Sequence, residues 1–319
     1  MKSIDEKIAR SEAEWHRYRY ENMGVRESTA LLCSSLKKSL KKRMGGAVKR
    51  ACSSGKEMHF QPTYDESREN IVISLTSTED RVRYIFPTLC SLISQTKKAD
   101  LIVLWLGKDS CFPKETVNRI WAMGVVVRFK KDLGSYTKYH YAFRRFKNDL
   151  VITVDDDIIY HGKMVQELYE THLKHPDLVI ARRVNKMRFN PDRRLASYKD
   201  WIWEYRDAKV PSFDLLATGV GGVLYPPSVM ALKCWENEDF LKVCPQADDI
   251  WLKFCQLSSD AKVCPVKGAR FEKDVINQRA QRISLSSENV DRGLNDERIK
   301  ACAKYFGMKD DLCERVLSE

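Results

Sequence analysis

The sequence has 319 residues, of which 43% are hydrophobic and 31% charged, a balance typical of a folded protein and unlike a disordered, collagen-like or multi-span membrane chain. The net charge of +11 is uneven, because residues 1–60 contain 14 basic and 7 acidic side chains while the remainder is close to neutral. We therefore expect an anionic neighbour for the first segment. Nucleic acid is an unlikely partner, since aromatic residues do not interleave a basic stripe.

The first segment contains apolar residues at helical spacing, including Leu32, Leu36 and Leu40, among lysines and arginines. Residues 30–50 therefore predict a basic amphipathic helix. Two interpretations stay open: the helix packs on the main domain with a solvated basic face, or it lies on an anionic membrane surface. The ten widely spaced cysteines form no C-x-x-C pair, and no apolar run reaches the roughly 18 residues that span a bilayer. We expect free thiols and a cytoplasmic protein, peripheral at the inner face of the membrane if the helix binds lipid.

From residue 70 onward, short apolar runs alternate with amphipathic stretches. Runs that are apolar at every position are typical of strands covered on both faces. The sequence therefore predicts an α/β fold with a mostly parallel central sheet flanked by helices. The predicted strands are 71–75, 101–106, 125–129, 150–154, 178–181 and one or two strands within 215–225. The predicted helices are 81–95, 114–123, 138–146, 162–174, 248–257 and further helices within 284–319.

Three consecutive carboxylates, Asp155, Asp156 and Asp157, follow the fourth predicted strand. The carboxyl ends of parallel strands face ligand sites, so these acids are candidate site residues. Asp155 and Asp157 would point the same way if the strand continued. Adjacent carboxylates ionise together only when positive charge offsets them, and oxygen ligands select Mg²⁺ or Mn²⁺. The alternative is a turn whose Asp side chains bond backbone amides and start the next helix.

Residues 154–160, Val-Asp-Asp-Asp-Ile-Ile-Tyr, resemble the D-x-D segment of GT-A glycosyltransferases, especially the bacterial enzymes of capsule and lipopolysaccharide assembly. Three other segments fit that pattern in the same order: residues 75–77 with Arg81, residues 218–225 and residues 247–251. The resemblance covers about 70–282. It implies a GT-A-like, Rossmann-like domain at 66–283, with a donor half at 70–182 and an acceptor half at 183–283. A basic helical extension at 1–65 and a C-terminal helical segment at 284–319 flank it.

The resemblance also implies roles for single residues. Asp157 would be the direct ligand of Mn²⁺ or Mg²⁺, and Asp155 would lie closer to the ribose or to metal-bound water. Lys138 would contact the base or phosphates of the donor, unless it is a surface lysine of its helix. The residues that would contact the nucleotide-sugar donor are Thr76, Ser77, Arg81, Lys138, Asp155 and Asp156.

The second half of the domain would hold the acceptor. The run Gly219-Val220-Gly221-Gly222 would let the backbone approach a sugar ring, with Gly221 and Gly222 as the candidate contacts, although a bulged strand or a tight turn also explains this glycine run. Trp251 would contact a sugar. Three more tryptophans, most of them expected in the core, lie in the same half: Trp201, Trp203 and Trp235.

Asp248 and Asp249 form the second acidic centre. In inverting members of the family that the chain resembles, an acid in this region accepts the proton of the acceptor hydroxyl. Asp249 is our candidate for that base, and Asp248 would orient the acceptor or its partner carboxylate. A pair of acids that stabilises the start of a helix is the structural alternative.

Two departures from the family pattern are visible. All six histidines precede Pro176, so no downstream His can serve as a third metal ligand. Residues 278–282 only approach the family's Q-x-x-R-W segment, and Arg279 or Arg282 either braces a diphosphate or is a surface cation.

The sequence thus predicts a metal-dependent glycosyltransferase that moves a sugar from a nucleotide-diphosphate donor, UDP-linked by preference, to a hydroxyl of a saccharide or glycolipid. Two alternatives remain. A metal-dependent nucleotidyltransferase would use the same acids and metal, with a phosphate as the electrophile. A non-catalytic adaptor would bind membrane or nucleic acid through residues 30–50.

Overall fold

The computed structural model describes residues 58–230, 235–271, 274–277, 293–308 and 312–317. The predicted basic helix at 30–50 and the segment 278–282 lie outside the described residues. So does nearly all of the predicted 1–65 extension. Within the described ranges, no helix combines the length and the apolar character needed to cross a bilayer.

The strands begin and end close to the predicted residues. In chain order they are β1 (Ile71–Thr76), β2 (Leu101–Gly107), β3 (Val126–Lys130), β4 (Leu150–Thr153), β5 (Ile158–Ile159), β6 (Val179–Ala181), β7 (Val184–Lys186), β8 (Leu215–Ala217), β9 (Val223–Tyr225), β10 (Val263–Pro265) and β11 (Val275–Ile276). The helices are α1 (Phe86–Ile93), α2 (Lys114–Ala122), α3 (Thr137–Arg145), α4 (Met164–His172), α5 (Pro227–Met230), α6 (Phe240–Val243), α7 (Asp248–Ser258), α8 (Leu294–Tyr305) and α9 (Leu312–Leu317).

The central sheet has seven strands in the order β10-β6-β9-β4-β1-β2-β3. All neighbouring strands pair in parallel except β9, which runs antiparallel to both β4 and β6. The prediction of a mostly parallel α/β sheet flanked by helices is confirmed.

Both faces of the sheet are buried, as the uninterrupted apolar runs predicted. In β1, the side chain of Val72 packs into one core and those of Ile71, Ile73 and Leu75 into the other. The first core is formed with α3, α7 and α8, and the second with α1, α2 and α4. This alternation follows the two-residue period of a strand and explains why the positions on both faces of the strand are largely apolar.

Residues 215–225 form two strands rather than one. β8 pairs with β7 outside the central sheet, and β9 enters that sheet beside β4 with Val223 opposite Thr153. A 3-10 turn at Gly219–Gly221 joins them. Because β9 is antiparallel to β4, its start lies at the end of β4. The glycine turn is therefore carried to the edge of the sheet where the acidic triplet emerges.

Candidate active site

The acidic triplet is divided between a buried cation, Lys138, and a half-buried one, Arg81. β4 ends at Thr153, and the chain turns at Asp156 and Asp157 before β5 begins. Lys138 Nζ lies 2.5 Å from Asp155 Oδ1, whereas Arg81 contacts Asp156 and lies 3.0 Å from Asp157 Oδ2. The strand does not continue past Thr153, so the condition under which Asp155 and Asp157 would point the same way is not met.

Asp156 is held by several contacts within the protein. Its carboxylate is 6% exposed, pairs with Arg81 and accepts a hydrogen bond from Ser77 Oγ at 2.5 Å. Its carbonyl accepts another from Thr88 Oγ1 at 2.9 Å. Burial raises the pKa of Asp156 to about 6, against the lowering effects of Arg81 and Ser77. We therefore correct its assignment as a donor contact: Asp156 joins the end of β1 to the triplet and has little surface left for a ligand.

Thr76 is also occupied within the protein. Its hydroxyl donates to the carbonyl of Trp105 on the neighbouring strand at 2.9 Å. The side chain is half-buried at the end of β1, so it lies at the edge predicted for the donor while its hydroxyl proton is already used.

A distant segment frames the triplet from the other side. β11 pairs antiparallel with β5, and the amide of Asn277 donates to the carbonyl of Asp157 at 2.7 Å. The side-chain amide of Asn277 also donates to the carbonyl of Tyr84 at 2.7 Å. The sequence gives no signal for this contact, because 120 residues separate Asp157 from Asn277 and the partner atoms are backbone groups.

Lys138 links the two acidic centres. It is 4% exposed, which rules out the alternative of a surface lysine. Besides the contact with Asp155, its Nζ lies 3.9 Å from Asp248 Oδ2. Burial alone would lower the pKa of Lys138, but the carboxylates of Asp155, Asp248 and Asp249 reverse that effect and raise it, so this lysine is a permanent cation.

Asp248 and Asp249 occupy the first turn of α7, beside the glycine turn. The amide nitrogen of Gly219 lies 3.2 Å from Asp249 Oδ1 and 3.4 Å from Oδ2. Burial, and then the neighbouring Asp248, raise the pKa of Asp249 well above its usual range, while Lys138 opposes them. Both acids do start a helix, but the position of Asp249 gives it the proton affinity that a general base needs near neutral pH.

Lys253 lies one turn further along α7 and holds the helix in place. It is 2% exposed, and its Nζ donates to the carbonyl of Leu215 in β8 at 2.9 Å. Together with the bond from Gly219 to Asp249, this contact fixes α7 against residues 215–219.

Tyr139 and Gly219 belong to the site although the sequence analysis did not select them. The Tyr139 side chain is fully buried, and its hydroxyl has no hydrogen-bond partner within the described ranges. A Cβ on Gly219 would lie 3.1 Å from that hydroxyl, 3.4 Å from Lys138 Nζ and 3.5 Å from Asp249 Oδ1. The polar atoms of the site therefore converge on Gly219. The only signal was proximity in the chain to selected residues, Tyr139 to Lys138 and Gly219 to Gly221.

The two glycines that the sequence analysis assigned to sugar binding have internal reasons to be glycine. A Cβ on Gly221 would lie 2.7 Å from the Cβ of Arg183, and Gly222 has a φ of +81° with Met164 Sδ 3.2 Å from the position of its absent Cβ. The turn alternative thus explains both residues, and their assignment to sugar contact is corrected.

Trp251 is likewise a core residue. Its side chain has no exposed surface, and its ring packs against Phe240, Tyr305 and Phe306 at centroid distances of 5.0–6.1 Å. A sugar cannot stack on a ring that is enclosed by α6 and α8. The prediction of a sugar contact at Trp251 is therefore wrong.

The site contains more carboxylates than cationic side chains. Its five aspartates, at 155–157 and 248–249, face two cations, Lys138 and Arg81. Within the described ranges, no three His, Cys, Asp or Glu side chains are grouped as a ready-made metal cage. The protein can thus offer carboxylate oxygens to a hard cation, but further ligands would have to come from substrate or water.

The fold and this edge of acidic residues define an α/β protein with a net-acidic candidate active site at the carboxyl ends of its central strands. Residues 79–222 match the sequence model of glycosyl transferase family 2. The match supports a glycosyltransferase of the GT-A type. It spans just under half of the chain and includes Arg81, Lys138, the triplet and the glycine turn, and it ends before Asp248 and Asp249.

No curated protein matches the chain. Among solved structures, CMP-2-keto-3-deoxy-manno-octonic acid synthetase complexed with CTP is similar at 10% identity and a TM-score of 0.40, over 62% of this chain and 90% of that one. A 4-diphosphocytidyl-2C-methyl-D-erythritol synthase is similar at 8% identity and a TM-score of 0.39, over 63% of this chain and 91% of that one. Likeness at this level supports no functional conclusion.

Proposed function

We propose that the chain is a metal-dependent glycosyltransferase that transfers a sugar, with inversion, from a nucleotide-diphosphate donor to a hydroxyl of a saccharide or glycolipid. A UDP-sugar is the preferred donor. The observation that carries the proposal is the placement of Asp249, a half-buried carboxyl with a raised pKa, next to the cation-bound triplet at the end of β4. The family match over 79–222 supports the same reaction class.

The reaction needs a base on the acceptor side of the transferred sugar. Asp249 would take the proton of the acceptor hydroxyl while the acceptor oxygen forms its bond to the anomeric carbon. The bond from that carbon to the diphosphate oxygen breaks, and the diphosphate leaves with the electron pair. Asp248 raises the proton affinity of Asp249, and the Gly219 amide holds its carboxylate in one orientation.

The donor side needs positive charge near the leaving group. Asp155 and Asp157 would hold Mn²⁺ or Mg²⁺, which when bound supplies the counter-charge for a diphosphate. The excess of carboxylates over cations fits such an ion, and hard oxygen ligands are the type that it prefers. Arg81 and Lys138 are the side-chain cations nearest the triplet, and they would contribute to holding the donor phosphates.

Calorimetry tests the proposal directly. UDP, GDP and CMP are titrated into the full chain with and without Mn²⁺, and we expect metal-dependent binding of a nucleoside diphosphate, tightest for UDP. Asp157→Ala should lose the metal-dependent part of that affinity, whereas Asp249→Asn should bind as the wild type does. Indifference to all three nucleotides would overturn the proposal. A nucleotidyltransferase would instead release pyrophosphate from a nucleoside triphosphate, and that product separates the two enzymes.

A further inference from the structure

The four tryptophans of the acceptor half differ sharply in exposure. Trp201, Trp235 and Trp251 are 5%, 2% and 0% exposed, whereas Trp203 is 39% exposed. Burial therefore explains three of the four as core residues. Trp203 is not a core residue, and its indole presents a partly exposed apolar face to solvent.

The backbone bulges at Trp203 and Glu204, where residues 202–205 run beside β7. Ile202 exchanges two backbone hydrogen bonds with Lys186, and the amide of Tyr205 donates to the carbonyl of Val184 at 2.8 Å. Residues 202–205 thus advance by three positions while the paired residues of β7 advance by two. The longer segment therefore contains one extra residue. Glu204 absorbs it with a φ of +48°, an uncommon conformation for a residue other than glycine. Such bulges re-aim side chains near functional sites.

The bulge lies beside the proposed base. Arg183, the residue before β7, accepts a hydrogen bond at its carbonyl from the amide of Thr218 at 3.1 Å. The next residue, Gly219, donates to Asp249. Arg183 also forms an ion pair with Glu204 at 2.6 Å. The pair next to Trp203 is therefore connected to the base through two consecutive residues.

Tyr198 supports the indole from behind. Its ring lies edge-on to that of Trp203 at 5.2 Å, and its amide donates to Asp296 Oδ1 of α8 at 2.8 Å. Burial and then the negative charge of Asp249 raise the pKa of the Tyr198 hydroxyl. Trp203 is thus a rigid platform that is held near the site.

Polar groups next to the platform remain available. The Arg183 and Glu204 side chains are 23% and 45% exposed, so a ligand can reach both members of the ion pair. A flat apolar surface beside an acceptor and a donor matches a sugar, which has an apolar C–H face and a rim of hydroxyls. A purely apolar partner would take this ion pair out of water without offering hydrogen bonds to its remaining donors and acceptors.

We propose that Trp203, Arg183 and Glu204 form the acceptor subsite, in which a pyranose of the acceptor stacks on the indole and its hydroxyls bond to the ion pair. This inference rests on the proposed function, since it names the acceptor as a saccharide and assigns it a location. It adds a binding surface that lies apart from the acidic triplet.

The test uses the full chain labelled with 5-fluorotryptophan. Its seven tryptophans give separate ¹⁹F signals, and the signal that is lost in Trp203→Phe identifies position 203. The probes are methyl glycosides of common hexoses and N-acetylhexosamines at millimolar concentration. We expect at least one of them to shift the Trp203 signal while the signals of the buried tryptophans stay in place.

Saturation-transfer NMR with the same glycosides supplies a second readout on unlabelled protein. Trp203→Ala should weaken binding of the responding glycoside about tenfold, the loss of one aromatic contact. Phe129→Ala is the matched control, because Phe129 is 45% exposed on β3 at the far edge of the sheet. It should bind as the wild type does.

Three outcomes would overturn the subsite: no glycoside shifts the Trp203 signal, Trp203→Ala binds glycosides like the wild type, or the substitution changes only the sedimentation coefficient. The last result would mean that the platform contacts a second copy of the chain. Nucleotide calorimetry on the same samples separates this proposal from the enzyme's function. Nucleotide binding without a glycoside response removes the subsite alone, whereas a Trp203 response without nucleotide binding removes the donor reaction and leaves a saccharide-binding surface.

Discussion

The amide of Gly219 donates to the carboxylate of Asp249, at 3.2 Å from one oxygen and 3.4 Å from the other. The turn before β9 therefore orients the proposed base through a backbone group, which no side-chain substitution removes. A hydrogen bond to the carboxylate favours the ionised form and partly offsets the burial that favours the protonated one.

Alanine at Gly219 and at Gly221 should have different effects. A Cβ at 219 would crowd the ends of three polar side chains at 3.1–3.5 Å, so we expect a stable protein with turnover reduced tenfold or more, on the scale that small misplacements cost. A Cβ at 221 would lie 2.7 Å from Arg183 Cβ and 3.0 Å from its backbone nitrogen, so we expect a loss of about 1–3 kcal/mol in unfolding free energy.

Urea denaturation and release of nucleoside diphosphate from the donor measure the two effects. Gly219→Ala with wild-type turnover, or with a stability loss as large as that of Gly221→Ala, would contradict this assignment of the two glycines.

Asp249→Asn should lose turnover by about 10²–10⁴-fold, the usual contribution of a general base. In the wild type the base must be ionised, so a raised pKa places the acidic limb of the kcat/KM profile above the range of an ordinary carboxyl. Asp248→Asn is the matched variant. It removes the negative charge that raises the pKa of Asp249, so the limb should move to lower pH while turnover persists.

The pH dependence of kcat/KM in both variants checks this pair. If Asp248→Asn were inactive and Asp249→Asn kept the wild-type profile, the two roles would have to be exchanged.

Lys138→Met should move the same limb in the opposite direction. The ammonium group lowers the pKa of Asp249, so its removal lets burial and Asp248 raise that pKa further. The acidic limb should therefore lie at higher pH than in the wild type. Lys138→Arg keeps the charge and should stay closer to the wild-type limb. Coincident profiles for Met, Arg and Lys at this position would show that Lys138 does not act on Asp249.

The sequence predicted the sheet because its strands are apolar at most positions on both faces, and it predicted α7 because two acids precede an apolar helix. It also selected Asp155, Lys138 and Asp249, whose side chains lie close together at the edge of the sheet where β4 ends. These signals are local, and each depends on residue type and order alone.

The sequence did not predict how the acidic triplet would be divided between Lys138 and Arg81. The separation of Asp155 from Asp157 arises because β4 ends at Thr153, and the framing of the triplet by Asn277 depends on backbone groups 120 residues apart. The choice among the tryptophans needed burial, since Trp203 and Trp251 look alike in a sequence. Long-range packing decides such features, and periodicity carries no information on it.

Lys253 gives a prediction for stability rather than turnover. Burial lowers its pKa to about 7, against a small opposing effect of Asp214, while the unfolded chain keeps the ordinary value near 10.5. Between these two values the unfolded state binds more protons than the folded state, so unfolding free energy should rise as pH increases from 7 towards 10. A single proton contributes a slope on the order of 1 kcal/mol per pH unit.

Lys253→Met cannot titrate, so the difference in unfolding free energy between wild type and variant should change with that slope from pH 7 to 9.5. Urea denaturation under reducing conditions measures it, and other titrating groups cancel in the difference. Lys242→Met, at an exposed lysine of α6, is the control and should give a difference that is independent of pH. A pH-independent difference for Lys253→Met as well would mean that the Lys253 amine is charged in the folded protein, and that its bond to Leu215 carries a full ammonium into the core between α7 and β8.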